Sequence, residues 1–325
     1  MNLRHRFAAL TITVVAGHAP TPASAAQTYP SQALELVAHT APGGGTDQYV
    51  RLLGEIFTRE KMVNQIPLIS NRAGGGGAIA YNYVKGKRGD PHVLLSISTG
   101  VFMSAVSRTD LGFSLDDFTL VAFLAMDPQV VAVTGDSKFT NVKDLIDTAK
   151  REPNTLVSAI ASATGSGRLF QYMLEKQTGA RFKYISFKSG SDAGTAVAGG
   201  HVHLTTENHS EIAAHLESKR VRVLAVTGER RMAALPTVPT MKELGYPIVV
   251  GTGRGVAMPA GVPREAVATV ENMLRRAVTT KLWKDYSANN NFEEGFLDGA
   301  QFKKYLESRR EEFRDFLTHV GMLKK

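Results

Sequence analysis

The sequence predicts an α/β protein built as two lobes, each with a β-sheet flanked by helices. Short apolar runs alternate with segments of helical periodicity, which is typical of βαβ units and of a doubly wound parallel sheet. Two glycine-rich stretches, 41–47 and 161–168, each join an apolar run to a helix. Two apolar segments, 120–133 and 248–258, contain no long helix, and we interpret them as the connections between the lobes.

In the first lobe, a buried parallel strand is predicted to end at Ala38, and apolar residues then recur at helical spacing from Tyr49 to Ile56. The elements predicted next, in chain order, are a strand at 67–70, a helix at 78–84 and a strand at 93–97. Hydroxyl side chains follow this last strand at Ser98 and Thr99, where doubly wound sheets bind ligands. The alternative is that both are ordinary loop hydroxyls.

In the second lobe, Thr140 or Asn141 is predicted to cap a helix that Pro153 stops. The later elements are predicted as strands at 156–160, 182–187, 201–208 and 221–227, with a helix beginning near Arg168, a small-residue helix up to Ala198 and a short helix after Pro239. Beyond the return connection, the chain is predicted to be helical at 263–278, 281–287 and 299–319.

The first glycine-rich stretch has the features of an anion site. Gly43, Gly44 and Gly45 let the backbone turn sharply and approach a ligand, and Thr46 and Asp47 offer N-cap chemistry. The first N–H groups of a helix lack intrahelical partners and carry the positive end of its dipole, so they bind a carboxylate or a phosphate. The alternative is an ordinary tight turn.

The second stretch repeats this logic. Small residues, including Ala161, Thr164, Gly165, Ser166 and Gly167, join a strand to a helix that begins near Arg168. A positive charge is unfavourable at a helix start, so this position suggests an anion bound between the arginine and the helix. The alternative is a solvated surface arginine.

Motifs for nucleotide cofactors and for catalysis are missing from the sequence. No lysine follows the first glycines as a Walker A loop needs, and Phe170 stands where the third glycine of a Rossmann fingerprint would follow Gly165 and Gly167. There is no GxSxG or HExxH motif. We therefore expect neither a cofactor nor an enzyme.

Composition restricts the function further. The chain has no cysteine, which excludes disulfides and thiolate metal sites. Its 38 basic and 30 acidic residues give a formal charge of +8, spread over the chain without the basic stripe of a nucleic-acid-binding protein. His201 and His203 are predicted to share the exposed face of a strand, so a metal site is conceivable there, but we expect none.

The amino terminus resembles a secretory signal over residues 1–25. Arg4 and Arg6 form a basic start, an apolar stretch follows up to Gly17, and Ala23 to Ala25 has the A-x-A form of a cleavage site. Removing the two arginines lowers the formal charge from +8 to +6. We expect a periplasmic protein without a transmembrane helix, since no later segment approaches the ~20 apolar residues that a spanning helix needs.

Four stretches together resemble the substrate-binding proteins of tripartite tricarboxylate transporters, the Bug or TctC-like family. They are YPSQALELV with PGGGTDQYVRLL, NRAGGGGAIA, FKSGSDAGTAVAGGHVHL and LAVTGERRMAALPTVPTMKELGYP, in that order along the chain. The resemblance covers nearly all of the chain after the signal. It implies a type II periplasmic-binding-protein fold, in which two lobes close over a carboxylate-bearing ligand in the cleft between them.

The resemblance also implies ligand-binding positions. They are Ala41 to Asp47, Ser98, Thr99, Ala161 to Arg168, Lys188, Glu207 and Asn208. The sequence departs from the family pattern in HTA before the glycines, in Arg168 where many members carry a histidine, and in Glu207 where an aspartate is usual. These departures leave the identity of the acid open.

The expected function is capture of a small organic acid for the membrane permease of such a transporter, by a monomer that binds no nucleic acid. Residues 26–125 with 250–325 are expected to form lobe 1 and residues 126–249 lobe 2, hinged near 124–130 and 249–256. Two alternatives stay open at this point. One is a sensor that signals to a membrane kinase, and the other is a small-molecule enzyme on the same fold.

Overall fold

The computed structural model describes residues 29–107 and 111–323. The predicted signal segment therefore lies outside the described residues. Within them, no helix combines the length and the apolar character needed to cross a membrane.

The first half of the chain builds one end of a continuous sheet from parallel strands. Its elements are β1 (Glu35–Ala38), α1 (Gly45–Arg59), β2 (Leu68–Asn71), α2 (Ala78–Lys85), β3 (Val93–Ser98) and α3 (Thr99–Ser107). β1 pairs in parallel with β2 and with β3, so the carboxyl ends of all three strands lie at one edge. Tyr49 of α1 packs edge-on against Trp283, which lies in a helix of the carboxyl-terminal part of the chain.

β4 (Phe118–Thr134) then runs through both halves of the molecule. Its first part pairs antiparallel with β9 (Gly251–Pro259), and its last part, from Gln129, pairs with the strands of the second half. β4 covers the segment predicted at 120–133 and pairs with strands of both halves, and β9 covers most of the segment predicted at 248–258. That these strands connect two lobes stays a prediction.

The second half repeats the strand and helix pattern. Its elements are α4 (Val142–Arg151), β5 (Val157–Ile160), α5 (Ser166–Thr178), β6 (Lys183–Ser186), α6 (Gly190–Ala198), β7 (Leu204–Asn208), α7 (His209–Glu217) and β8 (Val221–Val226). Asn141 caps α4 by accepting a bond from the backbone N–H of Asp144, as predicted. β5 pairs in parallel with β6 and β7, so their carboxyl ends also share one edge.

The carboxyl-terminal part returns to the first half. It contains α8 (Arg264–Ala277), α9 (Lys281–Asn290), β10 (Glu293–Asp298), α10 (Gly299–Ser308) and α11 (Arg310–His319). β10 pairs antiparallel with β4. α11 also contacts the second half, because Phe316 and His319 pack on Tyr172 of α5.

Several predictions about elements are wrong. The sheet is mixed rather than wholly parallel, since β4, β9 and β10 run antiparallel to their neighbours. The region after α9 is not entirely helical, because the charged segment 293–298 pairs with β4, and the helix predicted at 299–319 is split at Arg309. The short helix predicted after Pro239 is a turn at 241–245. β7 begins only at Leu204, so His201 and His203 precede it and share no strand face.

Candidate ligand-binding cleft

A cleft of about 1250 Å³ opens where the carboxyl ends of the two sets of parallel strands face each other. The carboxyl ends of β1, β2, β3, β5, β6 and β7, or the segments that follow them, all contribute to its lining. The predicted residues that border it are Gly45, Thr46, Ser98, Ala161, Thr164, Gly165, Ser166, Gly167, Arg168, Lys188, Glu207 and Asn208. Ala41, Gly43, Gly44, Asp47 and Thr99 are outside this lining.

The first glycine loop starts α1 without a side-chain cap. Gly44 is the N-cap residue, so the prediction that Thr46 and Asp47 serve as N-cap residues is wrong. Asp47 instead lies inside the helix and reaches back, accepting bonds from the backbone N–H of Gly43 and from Asn71, each 2.9 Å long. Burial opposes its ionisation, but bonds from Arg51, Gly43 and Asn71 outweigh that effect and lower the pKa of Asp47. Asp47 therefore holds the loop in shape.

The N-terminus of α1 is filled by a carboxylate of the protein itself. The backbone N–H of Gly45 donates to Oε1 of Glu211 at 2.5 Å, across 166 residues of sequence. Oε2 of Glu211 accepts a 3.3 Å bond from the backbone N–H of Asn208. Ser191 adds a second link across the cleft by donating to the carbonyl of Gly43 at 2.6 Å. The first predicted anion site is thus occupied by Glu211.

A second glycine run, Gly74 to Gly77, closes another side of the cleft. All four residues have positive φ, between 59° and 126°, a conformation that side chains other than glycine rarely adopt. A Cβ on Gly76 would lie 3.8 Å from Oγ1 of Thr164 and 3.9 Å from Oγ of Ser162, both in the loop after β5. The two halves of the protein therefore meet closely at this side.

The loop after β5 presents the start of α5 to the cleft. Gly165 is the N-cap residue and provides no side-chain cap. Among the described residues, no carboxylate bonds to the first N–H groups of α5, which is the opposite of the situation at α1. The backbone of Gly167 lies so close to β7 that a Cβ there would overlap the carbonyl oxygen of Thr206. The helix start is therefore held rigidly against the sheet.

Arg168 does not direct its guanidinium to the start of the helix. Nη1 lies 3.4 Å from Oε2 of Glu175, two turns further along α5, and the guanidinium stacks 3.9 Å from the ring centre of Tyr184. The residue is buried, so the alternative of a solvated surface arginine is wrong. The expected position beside the helix N–H groups is also wrong, because a buried carboxylate and an aromatic face hold the guanidinium elsewhere. Whether Arg168 contacts a ligand stays a prediction.

Glu207, at the end of β7, lies on the floor of the cleft with one oxygen engaged. Oε1 accepts a 2.6 Å bond from the backbone N–H of Ala161. Burial and, after it, the charge of Glu211 raise the pKa of Glu207 well above its usual range. Burial also raises the pKa of Glu211, although the bonds from Gly45 and Asn208 and the charge of Arg254 oppose this. The floor therefore holds two carboxyl groups that resist ionising together.

A buried ion pair lies beside the first loop. Arg254 of β9 pairs with Asp127 of β4, and its Nε donates to Oδ2 of Asp127 at 3.0 Å. Burial raises the pKa of Asp127 to about 6 although Arg254 opposes the change. Arg254 also donates to Oδ1 of Asn208 at 3.1 Å, which fixes the orientation of that amide. The pair joins both long strands to the end of β7.

The remaining predicted residues have separate places. Ser98 borders the cleft, while Thr99 accepts a 3.2 Å bond from the backbone N–H of Gly253 on the side of a smaller cavity. Lys188 is exposed at the cleft, and no ion pair is found for it among the described residues. His203 accepts a 3.0 Å bond from the backbone N–H of Val157. No metal-binding group of histidines and carboxylates occurs in the part of the chain that is described.

Several residues that line the cleft were not among the predicted ones. Glu211, Arg254, Gln129 and Thr252 all line the cleft but were not predicted. A signal for Glu211 was present, because Asn208 followed three residues later by a glutamate is the signature of a helix start. The others lie on the connecting strands, where apolar periodicity draws attention to the core rather than to the cleft.

Comparison with known proteins identifies relatives over most of the chain. The model of the family described as "Tripartite tricarboxylate transporter family receptor" matches residues 55–322. The protein BugT of Bordetella pertussis is 27% identical over 285 residues, which cover 86% of each chain. A UPF0065 protein of Cupriavidus necator is 25% identical over 328 residues, which cover 100% of this chain and 99% of the relative.

Solved structures agree on the fold. A Rhodopseudomonas palustris protein determined with adipate superposes with a TM-score of 0.83 at 26% identity, over 90% of this chain and 98% of that one. The periplasmic binding protein BugD superposes with the same TM-score at 23% identity, over 91% and 100% of the two chains. The expected two-lobed periplasmic-binding-protein fold is thereby confirmed.

Proposed function

The chain belongs to the tripartite tricarboxylate transporter receptor family, and from this premise we propose that it captures a small organic carboxylate in the cleft for delivery to a membrane permease. The proposal includes export to the periplasm by the signal-like segment at residues 1–25. It also includes a receptor role without catalysis, since the matched family consists of receptors.

The observation that carries the proposal is the start of α5. Its first N–H groups border the cleft through Gly165, Ser166 and Gly167, and no carboxylate of the described chain bonds to them. Such groups attract anions through unpaired hydrogen-bond donors and through the helix dipole. Lys188 stands at the same cleft and adds an exposed positive charge. A ligand carboxylate between them would satisfy both.

A related protein supports a carboxylate as the ligand class. The Rhodopseudomonas palustris structure at 26% identity contains adipate, a dicarboxylate. The contacts that join the two halves here, at Gly43 with Ser191 and at Gly45 with Glu211, fit closure of two lobes over a ligand. We assign the hinge to the long strands β4 and β9, with lobe boundaries near residues 125 and 250.

The test is a thermal-shift screen of the chain from Ala26 against mono-, di- and tricarboxylates, followed by calorimetry in the presence of a chelator. A ligand at one hundred times its Kd stabilises a protein by ~2.7 kcal/mol, which gives a clear shift of the melting temperature. We expect at least one carboxylate to bind without added metal. If none binds, or if binding requires a divalent metal, the proposal is wrong.

A matched pair of variants locates the site. Lys188→Gln should weaken binding of the identified carboxylate by roughly three- to tenfold, because one charge that attracts the ligand is lost. Lys183→Gln removes the same charge from exposed β6, away from the cleft lining, and should change the affinity by less than about twofold. Equal effects of the two substitutions would exclude Lys188 from the site.

A further inference from the structure

A second, smaller cavity lies beside the ligand cleft, at the start of α5. Its volume is about 170 Å³, and Ser166 borders both this cavity and the cleft. Gly100 of α3 also lines it, and a Cβ on Gly100 would lie only 3.2 Å from the backbone nitrogen of Ser166. The starts of α3 and α5 therefore meet closely at the wall of this cavity, and the start of α5 is where the ligand carboxylate is proposed to bind.

The walls of this cavity, which we call the hinge cavity, come from both halves of the protein. Met103 and Phe313 belong to α3 and α11, Leu169 belongs to α5 of the second half, and Met126 and Val250 lie on or next to the long strands β4 and β9. A rotation of the second half relative to the first would move α5 against α3 and α11, so it would change the shape of the cavity. The present shape therefore belongs to one arrangement of the two halves.

The lining of the hinge cavity offers little to a charged ligand. The hydroxyls of Thr99 and Ser166 are hydrogen-bonded to β9, Glu293 accepts a 2.8 Å bond from a backbone N–H, and Arg309 is paired with Glu312. The other side chains of the lining are mainly apolar. Because these polar groups already have partners, burial of an apolar molecule is favoured over burial of a charged one.

The size of the hinge cavity and its side chains indicate the class of ligand. An apolar cavity of about 150 Å³ stays dry and binds benzene or xenon, so the hinge cavity is large enough for one such molecule. Met103 and Met126 have flexible thioether side chains, which adapt to a ligand and make favourable contacts with the edges of aromatic rings. Phe313 adds an aromatic partner. These features indicate a small uncharged aromatic ring rather than a second organic acid.

We propose that the hinge cavity is a second binding site, which takes a small uncharged aromatic molecule the size of benzene, and that this molecule raises the affinity of the cleft for its carboxylate. The second part of this inference rests on the proposed function. A molecule that fits the present shape of the cavity stabilises the arrangement in which Glu211 bonds to Gly45 and Ser191 bonds to Gly43 across the cleft. Because a carboxylate held between the two halves stabilises the same arrangement, the two ligands bind cooperatively.

The first experiment detects the site by NMR of the wild-type protein with isotope-labelled methionine methyl groups. Benzene should shift the signals of Met103 and Met126 in a saturable way, whereas the signal of Met273, which is buried in α8 outside this lining, should not move. Substitution of each methionine by leucine assigns the signals. Dioxane, a polar ring of similar size, should bind about tenfold or more weakly than benzene, because it gains less from leaving water.

Leu169→Phe tests the assignment to the hinge cavity by filling part of it. Leu169 is 2% exposed and is not in the lining of the cleft. The affinity for benzene should fall by about tenfold or more, because the larger ring takes the space of the ligand. Leu244→Phe enlarges an exposed side chain outside the cavity and should leave the affinity within about twofold of wild type. The wild-type titration decides whether the site exists even if Leu169→Phe does not fold.

The second experiment measures the coupling between the two sites by calorimetry. The carboxylate identified by the screen is titrated into the wild-type protein with and without saturating benzene. We expect benzene to raise the affinity for the carboxylate by about threefold or more, and the carboxylate to raise the affinity for benzene by the same factor. Dioxane at the same concentration should have no effect.

The outcomes separate this inference from the proposed function. If benzene leaves the signals of Met103 and Met126 unmoved, shifts Met273 equally, or binds folded Leu169→Phe as tightly as wild type, the second site is wrong while the carboxylate receptor stands. If benzene binds there but the affinity for the carboxylate is unchanged or lower, the coupling is wrong. If no carboxylate binds in the screen, the proposed function fails and the coupling fails with it, whereas the NMR titration still decides the hinge cavity.

Discussion

The loops after β1 and after β5 begin as equivalent structures and end with different roles. Each joins a parallel strand to a helix through glycine, and each uses a glycine N-cap without a capping side chain. At α1 the N–H group of Gly45 has no intrahelical partner and donates instead to Glu211 from the other half of the protein. At α5 the corresponding residues border the cleft, and no carboxylate of the described residues bonds to their N–H groups.

This difference between the starts of α1 and α5 shows that a helix start predicts an affinity for anions, but it does not predict which anion binds there. Glu211 lies on α7, which positions its carboxylate at Gly45. Gly190, at the start of α6, lies so close to this carboxylate that a Cβ on Gly190 would overlap it. We therefore expect the first loop to act in closure of the cleft and the second loop to bind the ligand. The predictions below test this division of roles.

Loss of Arg254 should produce the largest effect on stability, because its buried ion pair with Asp127 lies beside the first loop. Removing one partner of a buried pair leaves an uncompensated charge and costs ~3–5 kcal/mol, so Arg254→Leu should lower the free energy of unfolding by that amount. Urea denaturation measures it. Arg275→Leu removes an exposed arginine that pairs with Glu271 and should cost less than about 1 kcal/mol. Similar losses for both variants would contradict a structural role of the buried pair.

Crowding at the second loop should give the next largest effect. Gly167→Ala places a Cβ against the backbone oxygen of Thr206, which cannot move aside cheaply, so we expect a loss of ~1–3 kcal/mol in the free energy of unfolding. Gly54→Ala in α1 is the matched helical control, since its Cβ would lie at an ordinary 3.4 Å from Leu36. The control should be neutral or stabilising by up to ~1 kcal/mol. A neutral Gly167→Ala would show that α5 is not held tightly against β7.

Removal of Glu211 tests the role of the first loop in closure. Glu211→Ala deletes a charge-assisted bond to Gly45, worth ~1.5–3 kcal/mol, and should therefore shift the ligand-free protein toward an open form. Small-angle scattering should report a larger radius of gyration for this variant than for wild type. Glu217→Ala, on an exposed position of the same helix, should leave the scattering profile unchanged. An unchanged profile for Glu211→Ala would remove this contact from the closure mechanism.

The last of these predictions concerns pH at the floor of the cleft. Glu207 has a folded-state pKa raised above 4.5, so it contributes stability when protonated and loses that contribution as pH rises through the folded pKa. Each unit of the shift corresponds to ~1.4 kcal/mol. Glu207→Gln removes this dependence, so its free energy of unfolding relative to wild type should become more favourable between pH 4.5 and pH 8. A difference independent of pH would contradict the raised pKa.

Local sequence patterns predicted most of the fold because periodicity and glycine punctuation reflect neighbouring residues. The strands that precede both loops, the cap at Asn141 and the two long apolar segments without a helix follow from such patterns. β10 could not be predicted in this way. Its charged sequence becomes a strand because β4 offers a pairing edge, and only the tertiary structure supplies that edge.

The position of the cleft could be predicted from the sequence, but the hydrogen bonds and ion pairs among its polar side chains could not. Both loops were predicted from their glycine pattern, whereas Glu207 and Lys188 were predicted from the family resemblance; Glu207, Lys188 and residues of both loops border the cleft. The carboxylate that accepts from Gly45 belongs to Glu211, which is 166 residues away in the sequence. The guanidinium of Arg168 points along its helix because it pairs with Glu175 and stacks on Tyr184. Such choices among polar partners depend on three-dimensional proximity, which no local pattern encodes.

The most direct test of the account is a crystal structure of the protein with the carboxylate identified by the screen. The account predicts a ligand carboxylate oxygen at ~2.7–3.2 Å from the backbone nitrogen of Ser166 or Gly167, with Glu211 still bonded to Gly45. A ligand carboxylate bonded to Gly45, with Glu211 displaced and the start of α5 without a ligand contact, would contradict it.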